Sequence, residues 1–214
     1  RSHTVIPVGS GDNLKAILQS NRPDVAIEFT RPDAAAANIK TCIDSGVAVV
    51  CGTTGWNDQR SQTEEYCRDK NGTLFVASNF SLGVNLFFRL NCYLAELMSQ
   101  QPAYHPSVLE IHHTGKKDAP SGTALSIAEG ILERIKRLDG WSLNGERAGS
   151  LEIRAERRDP VPGTHTVKWS SEIDDIEITH TAHSRQGFVA GALAVAEWIP
   201  GRKGVLGMDD FLRF

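Results

Sequence analysis

Long apolar runs are missing from this chain of 214 residues. No stretch approaches the roughly 20 residues that a helix needs to cross a bilayer, and no signal-peptide pattern opens it. A surplus of positive charge is missing too. Lys and Arg number 23 against 26 Asp and Glu, a net charge of -3, so neither nucleic acid nor an anionic membrane surface is an expected partner. Cysteine is scarce, and Cys42, Cys51, Cys67 and Cys92 show no Cys-x-x-Cys spacing. Three of them sit on predicted apolar faces or strands, as small buried hydrophobes do, and a reducing cytoplasm is the expected compartment. Internal repeats and low-complexity segments are absent. What remains is ordinary globular composition, 40% apolar and 23% charged, long enough for one large domain or two small ones.

The most informative stretch runs from Glu110 to Ala124. Its nine positions from His112 to Pro120 hold two imidazoles, two ammonium groups and a carboxylate. Upstream, Ser107 to His112 reads as a strand. Downstream, Ala124, Ala128, Ile131, Ile135 and Leu138 fall at helical spacing, so a helix opens at Ser121-Gly122-Thr123 and runs to about Leu138. The first turn of a helix leaves backbone N–H groups unpaired and carries the positive end of its dipole. A glycine there lets an anion approach closely, and His and Lys alongside suit a carboxylate or phosphate. The competing reading of Lys116-Lys117-Asp118 is a solvated charge run. No metal is expected. Adjacent His112 and His113 point to opposite faces of a strand and cannot chelate one ion together, and no Cys or Glu follows at ligand spacing.

The first third of the chain has a regular rhythm. Strands are expected at Thr4–Val8, Val25–Thr30, Val47–Cys51 and Thr73–Ala77, with helices around 12–20, 32–45 and 58–70. Strand and helix in alternation, joined by short turns, indicate a doubly wound parallel sheet. Gly9-Ser-Gly11 invites comparison with a dinucleotide fingerprint, but its third position is Leu14, so a plain turn is the better reading. Ligands in such folds sit outside the carboxyl ends of the strands, which here read Thr30-Arg31, Gly52-Thr53-Thr54 and Ser78-Asn79-Phe80. From residue 83 the pattern changes. A long helix to Ser99 has Val84, Phe87, Phe88, Cys92, Ala95 and Met98 near one stripe. After a loop-like stretch at 139–150 come alternating half-exposed strands at 151–156, 164–169 and 176–181, the last two as a hairpin, and an apolar helix from Phe188 to Ile199.

The segment His112-His113-Thr-Gly-Lys116-Lys-Asp118-Ala-Pro-Ser-Gly122-Thr123-Ala resembles the signature of the dihydrodipicolinate reductase (4-hydroxy-tetrahydrodipicolinate reductase) family. Glu28–Pro32, Gly52–Gly55, Ala77–Asn85, Val161–His165 and His183–Phe188 resemble the same family in the same order, so the likeness covers nearly the whole chain. It implies a Rossmann-like dinucleotide-binding domain over 1–81 and 187–214, its first βα unit missing, and a substrate-binding and oligomerisation domain over 82–186 with an open mixed sheet. The reaction implied is reduction of 4-hydroxy-tetrahydrodipicolinate by NADPH or NADH in lysine biosynthesis through diaminopimelate, in a homotetramer. The resemblance assigns His112 and Lys116 to catalysis and His113, Gly122, Thr123 and Arg185 to the dicarboxylate substrate. Thr30, Arg31, Gly52, Thr53, Thr54, Ala77, Ser78, Asn79 and Phe80 match cofactor-contacting positions.

The family pattern begins with a strand, a glycine-rich turn and a helix before Thr4. Their absence from this sequence raises the expectation that the chain starts late and, as it stands, holds cofactor weakly or not at all. Pro7-Val8-Gly9-Ser10 offers no charged residue to read the ribose, so the choice between NADH and NADPH is open. Two rivals stand beside the reductase. One is a non-catalytic dicarboxylate-binding relative without cofactor. The other is a hydrolase on Ser121, which lacks the Gly-x-Ser-x-Gly elbow.

Overall fold

The computed structural model describes residues 3–145 and 147–213. The chain divides into two compact units, Arg1–Phe80 with Val189–Phe214, and Ser81–Phe188.

The first unit holds α1 (Leu14–Asn21), β1 (Val25–Glu28), α2 (Pro32–Asp44), β2 (Ala48–Cys51), α3 (Asn57–Asp69) and β3 (Thr73–Val76). The end of the chain adds β9 (Gly204–Leu206) and α7 (Met208–Leu212). The four strands form one parallel sheet in the order β1-β2-β3-β9. Alternate residues of its central strands enter two different cores. Val49, Cys51 and Leu74 pack with Ala35, Ile39 and Ile43 of α2 on one face, while Val50 and Phe75 pack with Ala192, Val195 and Ile199 on the other. Burial on both sides explains why these strands read as near-continuous apolar runs. Ala192 and Val195 belong to α6 (Gln186–Trp198), where a Cβ placed on Gly191 would stand 1.7 Å from the Phe80 carbonyl oxygen. Only glycine lets the helix approach that closely.

Two expectations fail in this unit. Thr4–Val8 is exposed and forms no strand, because among the described residues no strand lies alongside to take its backbone groups and Pro7 has no N–H to offer. β9 went unforeseen because three residues are too few to show alternation. The turn at Gly9 is a plain one, with Asp12 N donating to Gly9 O at 3.1 Å and Gly9 N to the Asp12 carboxylate at 2.7 Å. The helix then starts at Leu14, capped by the Asn13 side chain, which accepts from Ala16 N at 3.1 Å.

The second unit holds α4 (Leu82–Met98), β4 (His105–His112), α5 (Gly122–Leu132), β5 (Gly140–Leu143), β6 (Ser150–Arg157), β7 (Gly163–Ser170) and β8 (Asp175–Ala182). Its mixed sheet runs β5-β6-β4-β7-β8, parallel from β5 to β4 and antiparallel beyond. Helices α4 and α5 cover one face, burying Phe87, Ala95, Ile127 and Ile131 against Val108, Leu151, Ile153, Val167 and Trp169. Along β4 and β7 burial alternates residue by residue, so one phase of each strand faces the helices.

Three details correct the expectations here. Helix α5 ends at Leu132 rather than near Leu138, since the backbone tightens into shorter turns, Arg134 N to Ile131 O and Leu138 N to Ile135 O. Ile135 keeps its place in the core even so. The stretch at 139–150 contains strand β5, disguised by Gly140 at its start and Gly145 just beyond it. On α4 the buried stripe includes Asn91, whose amide donates to Ile127 O at 3.0 Å and ties α4 to α5.

Candidate active site

Period-two alternation along β4 sets Glu110 and His112 on the same buried face and turns His113 out to solvent. The Glu110 side chain is completely buried, so its carboxylate must be met by protein donors. Ser121 N donates to Oε2 at 3.0 Å, and both terminal nitrogens of Arg157, at the end of the neighbouring β6, reach Oε1 at 3.3 Å. The His112 ring stands beside this carboxylate, its Nδ1 3.6 Å from Oε2 and otherwise without a partner.

Across the sheet, β7 contributes His165. Its ring lies edge-on to His112 with centroids 5.0 Å apart, and its Nε2 is 3.3 Å from Ser121 Oγ. Burial, reinforced by His112, His180 and Lys116, holds the His165 pKa down at about 3. It is therefore neutral near pH 7, and the 3.9 Å approach of its Nε2 to Glu110 is not an ion pair there. His112 is also pushed down, first by burial and then by Lys116 and Arg157, with Glu110 and Asp118 pulling the other way. Glu110, His112 and His165 offer metal-type donor atoms within 4.8 Å of one another. This grouping differs from the His112–His113 pair considered from sequence, and both of its carboxylate oxygens are already engaged by Arg157 and Ser121.

The loop from His113 to Pro120 closes over this cluster. Arg157 Nε donates to Lys116 O at 3.2 Å and Nη2 to Asp118 O at 2.6 Å. Thr114 N donates to Asp159 at 3.1 Å, and the Thr114 hydroxyl donates to the same carboxylate. Lys116 Nζ meets both oxygens of Asp118 at 2.8 Å, and that hydrogen bond holds the Asp118 carboxyl below its usual range. Beyond the loop, Ser121 caps α5, its Oγ accepting from Ala124 N at 3.1 Å. The N–H groups of Gly122 and Thr123 are left without an intrahelical acceptor, and a Cβ at Gly122 would meet nothing within 4 Å. That helix start is open to an anion.

Of the residues expected from sequence, His112, Lys116, Gly122 and Thr123 gather at one end of β4 and the start of α5. His113 and Lys117 face solvent. Arg185 follows β8 beyond the same end of the sheet, exposed and outside the hydrogen-bonded cluster. Glu110, Arg157, Asp159 and His165 were not among the expected site residues, and Ser121 stood there only as the nucleophile of the hydrolase rival. Arg157 had a signal: Leu151, Ile153 and Ala155 share its strand phase, so it is an arginine where an inward-facing residue belongs.

In the first unit, the expected cofactor positions lie at the carboxyl ends of three adjacent parallel strands. Thr53 Oγ1 accepts from Thr30 N at 2.7 Å and Trp56 Nε1 donates to Thr53 O at 2.7 Å, fixing two of these ends. A Cβ on Gly52 would fall 2.2 Å from the Phe29 ring, which is half-exposed and packs on buried Phe80 with centroids 5.4 Å apart. Arg31 pairs with Asp33 at 3.2 Å on the surface. Small residues, hydroxyls and an accessible aromatic ring at this edge fit a nucleotide that lies against backbone.

The sequence profile described as "Dihydrodipicolinate reductase, N-terminus" matches residues 2–80, and that described as "Dihydrodipicolinate reductase, C-terminus" matches 83–212. The chain belongs to the dihydrodipicolinate reductase family. It is 48% identical over 212 residues to a 4-hydroxy-tetrahydrodipicolinate reductase of Christiangramia forsetii, covering 99% of this chain and 89% of that one. With the enzyme of the same name from Methanocaldococcus jannaschii it shares 35% identity over 215 residues, 97% of this chain and 77% of the other. Among solved structures, a dipicolinate-bound dihydrodipicolinate reductase from Paenisporosarcina sp. TG-14 superposes with a TM-score of 0.79 at 22% identity, covering 97% and 82% of the two chains. That likeness establishes the fold, a parallel sheet in one unit and a mixed sheet in the other. Family membership makes the protein an oxidoreductase of lysine biosynthesis that works with a pyridine nucleotide. Among the described residues, no helix is long and apolar enough to cross a membrane.

Proposed function

We propose that His112 is the proton donor, and Lys116 the principal charge, for NAD(P)H-dependent reduction of 4-hydroxy-tetrahydrodipicolinate. The observation that carries this reading is the convergence of His112, Lys116 and the unpaired Gly122 and Thr123 N–H groups at one end of the second unit's sheet. A dicarboxylate ring has the complementary charge, and the Paenisporosarcina relative was solved with such a ligand, dipicolinate. One carboxylate takes the helix donors, and Lys116 exchanges Asp118 for it. His113 and Arg185, both exposed, supply further positive or hydrogen-bonding groups to the second carboxylate.

Burial leaves free His112 short of protons at neutral pH, and an arriving dianion reverses that balance. Nδ1 faces the Glu110 carboxylate and keeps its hydrogen, so Nε2 delivers the transferable proton. Gly163 gives this nitrogen room, since a Cβ there would stand 3.2 Å from it. When bound, a nicotinamide would supply the hydride; the Nε2 proton quenches the charge that hydride delivery leaves, and the hydroxyl departs as water with a proton from the neighbouring ring carbon. Thr30, Arg31, Gly52, Thr53, Thr54, Ala77, Ser78, Asn79 and Phe80 hold the nucleotide in the first unit, which accepts NADPH or NADH. Four cysteines without disulfides fit a cytoplasmic enzyme. The face of the mixed sheet that α4 and α5 leave uncovered joins copies into a homotetramer.

The test is nucleotide oxidation by the full-length protein with 4-hydroxy-tetrahydrodipicolinate. His112→Ala and Lys116→Ala should each lower turnover by roughly 10²–10⁴, the range for loss of a general acid or its charge partner. Wild-type turnover in both variants would remove the assignment. Dicarboxylate binding without any nucleotide oxidation by the wild type would make the protein a binding-only relative.

A further inference from the structure

Arg157 spends every N–H it has in one place. Its Nε donates to Lys116 O, Nη1 to Glu110 Oε1 and Glu156 O, and Nη2 to Glu110 Oε1 and Asp118 O, at 2.6–3.3 Å. The five donors of a guanidinium form a rigid planar fork, so one side chain sets the relative positions of three backbone carbonyls and a buried carboxylate. Two of those carbonyls flank Lys117, within the loop that carries Lys116, and the third belongs to the adjacent Glu156. The carboxylate stands beside His112 and also holds the start of α5 through Ser121 N. Removing either member leaves the other buried without its partner.

We propose that Arg157 and Glu110 are the positioning pair of this active site. Arg157 fixes the Lys116 loop against β6, and Glu110 fixes the His112 ring and the helix donors. Neither touches the substrate. The proposal rests on the reading of His112 and Lys116 given above. His112 faces Glu110 from its own strand, Arg157 from β6, His165 from β7, and Lys116 and Asp118 from the loop. Glu110 is the strongest of these in favouring the protonated ring.

The experiment compares Arg157→Lys, Glu110→Gln and His112→Asn in the full-length protein, with steady-state kinetics over pH, thermal unfolding, and NMR titration of the His112 ring. Arg157→Lys keeps the charge but has only three donors, without the fork. It should fold, raise KM for the dicarboxylate because the loop it holds carries Lys116, and lose on the order of 10² in kcat, as displaced catalytic groups do. Glu110→Gln removes the charge that favours protonated His112, so the ring titrates at lower pH and the limb of kcat lost as pH rises moves the same way. Wild-type kcat in Arg157→Lys, or an unmoved His112 titration in Glu110→Gln, would overturn the proposal. If Arg157→Lys does not fold, the Glu110→Gln titration decides alone. Wild-type turnover in His112→Asn would instead sink the reading of His112 itself, so the two failures are distinguishable.

Discussion

His165 should make the second unit sensitive to acid well above the range in which carboxylates titrate. Its pKa is held at about 3 in the folded chain against 6.5 for an ordinary histidine. Below pH 6.5 the unfolded chain therefore binds a proton that the folded chain refuses. Stability from this group is fully present above about 6.5 and is lost as pH falls toward 3. The slope is about 1.4 kcal/mol per pH unit. Between pH 7 and 5 the loss is about 2 kcal/mol, a large part of a typical domain's stability. Asp118, Asp159 and Asp175, all shifted below 3.8, are ionised in both states across that window and contribute nothing to it. His112 and His180 are lowered as well and add slopes of the same sign. The assay is urea unfolding at several pH values, followed by fluorescence of Trp141 and Trp169 with Trp56 and Trp198 replaced by Phe. His165→Gln should shift the whole curve by some constant and flatten the acid slope by about 1.4 kcal/mol per pH unit. Parallel curves for His165→Gln and wild type would refute the reasoning.

Four further outcomes follow from the geometry. Gly191→Ala sets a methyl 1.7 Å from the Phe80 carbonyl oxygen, so despite alanine's better helix propensity it should destabilise the first unit by about 3 kcal/mol or more; an unchanged melting temperature would contradict this. Gly163→Ala crowds His112 Nε2 at 3.2 Å and should reduce kcat by about an order of magnitude with an intact fold, as kinetics and circular dichroism will show. Asp118→Asn releases Lys116 from an exposed pair and should tighten dicarboxylate binding by up to about fivefold in calorimetry; weaker binding would mean that Asp118 places Lys116. Gly122→Ala, a methyl group at an open helix start, should weaken dicarboxylate binding while leaving unfolding nearly unchanged, because a Cβ there meets nothing within 4 Å.

The parallel sheet of the first unit is legible because strands buried on both faces leave unbroken apolar runs such as Val47–Cys51. The His112–Thr123 stretch is legible because its chemistry is contiguous in sequence. The pair behind it is not. Arg157 and Glu110 are 47 residues apart, and Arg157 sits in Glu156-Arg-Arg158-Asp, which reads as a solvated charge run. Arg154 and Arg158, nearby in sequence, do pair with Glu152 and Glu156 at the surface. Only strand phase, fixed once β6 is registered against β4 with Arg157 opposite His112, tells the three apart. The false strand at Thr4–Val8 shows the converse: local β propensity yields no strand without a neighbour to complete its hydrogen bonds.

The measurement that bears most directly on the site is calorimetric titration of the full-length protein with pyridine-2,6-dicarboxylate near pH 7.5, in buffers of different ionisation enthalpy. If the dianion recruits a proton onto His112, the observed heat will depend on the buffer, with net proton uptake on binding, and His112→Asn will bind without that uptake. Binding with no proton uptake in the wild type, or the same uptake in His112→Asn, would contradict the account.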